Sequence, residues 1–221
     1  NKIAGCGIMK WSKCLGLFLL LGFGAHIAPA RHLQPILSEQ DSLFFALSQD
    51  SLIRLSENLI ISRNDSVRIK SAGQFQAYLI EILQKNDSWM FAFDSLRTVS
   101  FLTPPDSAFR IISWYVPLLS GHFRYYGLVQ YPPESGRGIL ELTDQTPEPQ
   151  FLTDEWPSNG YWLGAYYYDI IFHRYEDVNV YTLLGWKGYS PEIRMRVIET
   201  FSPGDSIPVF GSPGFRKECK V

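Results

Sequence analysis

Asp169, Glu141 and His173 are the residues of this 221-residue chain whose types could support hydrolysis, while Tyr125, Trp162 and Tyr167 could hold a ligand without reacting with it. Glycoside cleavage requires two carboxyl groups facing a cleft, one to protonate the leaving group and one to attack or to activate water. Asp169 and Glu141 both fall in runs that read as strands and form the acid pair for such a site. His173 is the imidazole that a general acid–base step would use. Asp169 and His173 are four residues apart on one strand. They share a face but are separated by about 13 Å along it, so no direct hydrogen bond joins them. A partner for His173 must come from a neighbouring strand, with His122 and Asp144 the other groups in play.

Other chemistries find no pattern. No Gly-x-Ser-x-Gly elbow is present, and Leu119-Ser120-Gly121-His122 reads as a turn. His32, His122 and His173 lack the close spacing of metal ligands, so no metal is expected. No glycine-rich cradle follows a strand and opens a helix, and Gly160, Gly164, Gly185 and Gly188 read as bulge or turn positions, so no cofactor is expected. The aromatic content is the richer signal, with 12 Tyr, 15 Phe and 6 Trp. Tyr125, Tyr126, Trp162 and the run Tyr166-Tyr167-Tyr168 could form a stacking platform for a glycan or a peptide. Adjacent strand residues point to opposite faces, so at most half of them serve one platform. The alternative is that these rings cover a curved sheet and dock helices against it.

The elements that must position these groups change in character along the chain. Residues 39–61 are expected to form a helix, with Ser38 as N-cap and Leu43, Leu47, Leu55 and Leu59 at near-helical spacing. Arg63-Asn64-Asp65 reads as a polar turn. A second helix is expected over 72–84, where Ser71 and Gln74 make a capping box and Phe75, Tyr78, Leu79, Ile82 and Leu83 a stripe. From Trp89 the pattern becomes strand-like, over 89–94, 97–102, 109–116, 122–131, 137–142, 165–175, 178–186, 193–201 and 207–210. Alternation puts Tyr167, Asp169, Ile171 and His173 on one face of 165–175, and Ile170 and Phe172 on the other. Apolar residues on both faces of this strand and the next predict a central hairpin. No helical crossovers separate the strands, so the sheet is expected to be mostly antiparallel. The fold class is α+β: an N-terminal helical pair, then an antiparallel β domain built as a sandwich or a strongly curved sheet.

The front of the chain reads as an export address. Lys10 and Lys13 precede the uncharged run Leu15–Phe23, and Ala28-Pro29-Ala30 follows it, the three parts of a cleavable signal whose core is too short to span a bilayer. Met9 is the expected start, and Cys6 precedes the apolar core, the wrong side for lipidation. The expected organisation is 1–30 as upstream residues and signal, 31–87 as helical region, 88–212 as β domain and 213–221 as irregular tail. Loss of residues 1–30, which carry Lys2, Lys10 and Lys13 and no acid, moves the formal charge from -2 to -5. That balance argues against nucleic acid as a partner. Only Cys219 of the three cysteines would remain, so no internal disulfide forms and an apolar core must hold the fold. No second apolar run approaches the length of a membrane span.

The strings Phe109-Arg110-Ile111-Ile112-Ser113-Trp114, Tyr125-Tyr126-Gly127-Leu128-Val129-Gln130, Trp162-Leu163-Gly164-Ala165-Tyr166-Tyr167-Tyr168-Asp169-Ile170-Ile171, Tyr181-Thr182-Leu183-Leu184-Gly185-Trp186-Lys187-Gly188 and Pro208-Val209-Phe210-Gly211 carry a resemblance. Over residues 99–211 the order and spacing of these strings resemble an uncharacterised family of exported Bacteroidetes proteins with an aromatic-rich β domain. Members of that family continue past the equivalent of Phe210 with further strand-like sequence. The resemblance therefore implies a C-terminal truncation here and lends no catalytic residues. Together these readings predict a periplasmic or secreted envelope protein with a non-catalytic binding or structural role. Its partner would be a glycan, a peptide or another envelope protein, and the alternative is a hydrolase of envelope polysaccharide or peptide.

Overall fold

Ser38 caps the first helix as its sequence suggests: its Oγ accepts from Asp41 N at 3.0 Å, and Glu39 and Asp41 place negative charge in the first turn. The computed structural model describes residues 37–146, 161–205 and 207–211. The expected signal, the expected tail and residues 147–160 lie outside the described residues. Helix α1 runs Glu39–Ile61 and buries Phe45, Leu52 and Leu59, seven residues apart, together with Ser48, Gln49 and Ser56. Leu43 and Leu47 of the expected stripe are exposed. The larger Phe45 ring sets the face, stacking on Phe91 at 5.4 Å.

Helix α2, Asp65–Leu83, begins earlier than the capping box at Ser71 implies. Asn64 is the cap, its Oδ1 accepting from Ser66 N at 2.8 Å and Val67 N at 3.3 Å. Ser71 is buried inside the helix on the same face as Arg68, Ala72, Phe75 and Leu79. The run 89–94 is not a strand either. Asn86–Met90 forms a 3-10 helix, because the main-chain oxygens of Ser88 and Trp89 accept from the buried guanidinium of Arg110 instead of from a neighbouring strand.

Among the described residues eight strands follow, in two antiparallel sheets. The first has the order β1 (Ser100–Leu102), β2 (Arg110–Pro117), β3 (Phe123–Gln130), β4 (Ile139–Leu142). The second has the order β5 (Tyr166–Tyr175), β6 (Val178–Gly188), β7 (Arg194–Ser202), β8 (Val209–Phe210). The strand expected at 97–102 shrinks to its last three residues. Alternation along β2 builds two cores. Ile112, Trp114 and Val116 pack with Phe45, Leu52, Phe75 and Leu79 of the helices. Ile111 joins Phe109, Tyr125 and Val129 against Tyr167, Leu183 and Phe201 of the second sheet. The fold is thus α+β, with the first sheet between the helical pair and the second sheet.

The β5–β6 hairpin forms, but β5 is an edge strand and not a central one. Its register shifts between Tyr167 and Asp169, leaving Tyr168 as an extra residue. A bulge resets alternation. Tyr167 therefore joins Ile170 and Phe172 on the inward face, whereas uninterrupted alternation would have placed it with Asp169, Ile171 and His173. No helix among the described residues is long and apolar enough to cross a membrane.

Candidate functional site

Lys187 is the unexpected residue of the interior. It shares the inward face of β6 with Leu183 and Gly185 and is 3% exposed. Its Nζ donates to Thr146 Oγ1 at 2.6 Å, to Gly164 O at 2.8 Å and to Leu163 O, and it sits 3.9 Å from Asp144 Oδ1. An ammonium has three hydrogens, and here each has an acceptor. Gln145 N donates to Trp162 O at 2.9 Å alongside. Lys187 thereby clamps 144–146 to 162–164. Gly164 makes the approach feasible: at φ +62° it takes a left-handed conformation, and a Cβ there would meet the Asp144 carboxyl at 2.5 Å.

Tyr167 continues the network. Its hydroxyl accepts from Trp162 Nε1 at 3.0 Å and donates to Glu199 Oε1, and its main-chain N donates to Ser113 Oγ at 3.0 Å. Tyr125 accepts from Gly188 N at 2.6 Å, with Lys187 Nζ 4.7 Å from its ring centroid. Burial lowers Lys187 to about 8, opposed by the charges of Asp144 and Glu199. Burial raises Glu199, opposed by the Tyr167 hydrogen bond and by Lys187. A cleft of about 370 Å³ opens beside this cluster. Glu199 is the one carboxylate among its described lining residues, whereas glycoside cleavage requires a pair. In its ammonium form Lys187 has all three hydrogens engaged within the protein.

A second cavity, of about 410 Å³, has a different character. Tyr115 of β2, Tyr166 and Tyr168 of β5 and Trp186 of β6 bring four aromatic rings to it, opposite Ser56, Leu59 and Ile60 of α1 and beside Arg97 and Thr98. The rings hold one another in place. Tyr115 meets Tyr166 edge-on at 5.7 Å and Trp186 at 5.3 Å, and Trp186 meets Phe123 at 5.1 Å. Tyr168, the bulge residue, is 45% exposed, with the Arg196 guanidinium 5.9 Å from its ring centroid. Thr98 Oγ1 is buried without a hydrogen-bond partner among the described residues.

The residues singled out from sequence divide sharply. Tyr125, Trp162 and Tyr167 do come together, but in the interior around Lys187 and Glu199, where no face is left for stacking. Asp169 is exposed and its Oδ1 accepts from Ile170 N at 2.8 Å. His173 is exposed near the hairpin tip, paired across the ladder with Val180. Glu141 is on the other sheet, exposed, accepting from Gln76 Nε2 of α2. These three share no hydrogen bond among the described residues. His122 Nδ1 is 3.2 Å from Ser120 Oγ. Among the described residues no group of three or more His, Cys, Asp or Glu is placed to hold a metal ion.

The residues that sequence reasoning passed over are Lys187, Glu199, Tyr115, Trp186, Arg97 and Thr98. Lys187 carried a signal, a lone cation at the inward phase of an otherwise apolar strand. Arg97 and Thr98 carried none, since they reach the cavity from an irregular segment. Comparison of the chain with protein-family models, with curated proteins and with solved structures gives no match in any of the three.

Proposed function

We propose that this chain is an exported envelope protein that binds a glycan, without cleaving it, in the cavity walled by Tyr115, Tyr166, Tyr168 and Trp186. The observation that carries the reading is the arrangement of these rings: three are fixed against each other and Tyr168 keeps an open face. Sugar rings present apolar C–H faces ringed by hydroxyls, so a site for them combines aromatic faces with a few polar groups. Arg97 supplies donors at the cavity wall. A cavity of about 410 Å³ is within the size range of small-molecule sites. Export, and membership of the Bacteroidetes family, rest on the sequence features of 10–30 and on the aromatic strings of 99–211.

The test is a fluorescence titration of the full chain with neutral β-linked oligosaccharides, cellohexaose, laminarihexaose and chitohexaose. At least one is expected to bind and to change the emission of Trp186. Removing the Tyr168 ring takes away about 50 Å² of contact, roughly 1.3 kcal/mol, so Tyr168→Ala weakens binding about tenfold. Asp169→Ala, on the outer face, leaves binding unchanged. Binding that is absent for the whole panel, or that survives Tyr168→Ala undiminished, overturns the reading.

A further inference from the structure

Strand β7 keeps a neighbour on its outer side for only part of its length. β8 pairs with it at Phe201↔Phe210 and Ser202↔Val209, and Gly211 N donates to Thr200 O at 2.9 Å. Gly211 takes φ +68°, a left-handed conformation outside the range of a β-strand.

Residues two apart on a strand direct their N–H and C=O groups to the same side. Since Thr200 O faces β8, the main-chain groups of Ile198, Arg196 and Arg194 face the same open side, while Val197 and Glu199 bond to β6. Among the described residues no main-chain partner meets Ile198, Arg196 or Arg194 there. The side chains along this edge alternate. Met195 and Val197 face inward beside the cleft, which Phe210 and Tyr161 also wall. Arg194 and Arg196 are exposed, and neither has an acid within ion-pair distance among the described residues.

We propose that the open edge of β7 accepts an extended peptide strand from another protein, added antiparallel, with acidic residues opposite Arg194 and Arg196 and apolar residues opposite Met195 and Val197. An unpaired strand edge offers main-chain hydrogen bonds for affinity, and the flanking side chains select the sequence. Charge decides the occupant. Two copies of this edge paired antiparallel about Met195 or Arg196 would set arginine against arginine. Residues 212–221, which follow β8 in sequence, carry Arg216, Lys217 and Lys220 against the single acid Glu218. An acidic strand is the complement of both arginines.

A fluorescein-labelled peptide of sequence Thr-Val-Val-Glu-Val-Glu-Thr, titrated with the full chain and read by anisotropy, tests this. Saturable binding is expected, with protection of the Ile198 and Arg196 amides from hydrogen exchange. Replacing both Glu residues of the peptide by Lys weakens binding about tenfold or more, since each charged hydrogen bond lost contributes appreciably. The double variant Arg194→Glu, Arg196→Glu reverses that preference. Ile198→Pro removes an edge-facing N–H and leaves the β6 ladder intact, so it abolishes binding. If that variant fails to fold, the charge reversal still decides. No saturable binding, a preference that the charge reversal does not invert, or sedimentation showing that the chain pairs with itself through β7 each overturns the proposal.

Discussion

Replacing Tyr167 by Phe removes one oxygen from a residue with no solvent exposure and leaves the ring in place. Two partners are then stranded. Trp162 Nε1, buried with its indole, loses the acceptor that it meets at 3.0 Å. A buried donor left unpaired costs about 1–3 kcal/mol. Glu199 Oε1 loses the hydroxyl that donates to it, a charged hydrogen bond of about 1.5–3 kcal/mol. The two losses do not add in full, because burial already raises the Glu199 carboxyl and the variant favours its protonation. The expected net loss is about 2–4 kcal/mol at neutral pH. Urea unfolding followed by tryptophan fluorescence measures it as a lower midpoint at unchanged slope. Glu199→Gln, alone and combined with Tyr167→Phe, completes a double-mutant cycle with an expected coupling of about 1 kcal/mol or more. A loss under about 0.5 kcal/mol, or no coupling, would refute the network as the element that fixes Trp162 and Tyr167.

Stability against pH should show a rise and then a fall. Lys187 has a folded value of about 8 against an ordinary 10.5, so between these pH values the unfolded chain holds a proton that the native chain has lost. Stability therefore grows with pH in that window, by at most about 1.4 kcal/mol per pH unit, and is lost as pH falls through 8. Above pH 10 the sign reverses: unfolded tyrosines ionise while Tyr181, pushed up to about 12 by burial and its bond to Asp106, and the more deeply buried Tyr167 keep their protons. Urea midpoints stepped from pH 7 to 11 read both arms, and Lys187→Met should flatten the first. Trp114 is fully buried between Phe75 and Tyr126, yet its Nε1 has no hydrogen-bond partner among the described residues. Trp114→Phe should hold stability within about 1 kcal/mol because it also removes that orphan, whereas Trp114→Ala costs about 3–5 kcal/mol in the same urea assay.

Local signals were readable where one residue decides the outcome. Ser38 starts α1, and turn residues bracket most of the strands. Misreadings arose where two local signals compete or where a distant group intervenes. Ser71 and Gln74 imitate a helix start, but Asn64 caps first and buries Ser71 in the following turns. Trp89–Asp94 has the composition of a strand, but at its start the Ser88 and Trp89 carbonyls accept from Arg110, distant in sequence. Uninterrupted alternation gives the wrong face for Tyr167, because a bulge at Tyr168 leaves no mark in a run of three tyrosines. The candidate site was legible only in part for the same reason. Tyr125, Trp162 and Tyr167 converge, but their convergence serves the interior. The exposed rings belong to neighbours in the same strings, and the polar groups beside them come from a segment with no periodic pattern.

The most direct test of the account is a protein-observed NMR titration with the oligosaccharide that binds best. The Trp186 indole N–H and the Thr98 amide are expected to shift with ligand, while the Trp162 indole N–H, held by Tyr167, stays fixed. Shifts confined to Lys187, Glu199 and Trp162, or none at Trp186 under saturating sugar, would contradict it.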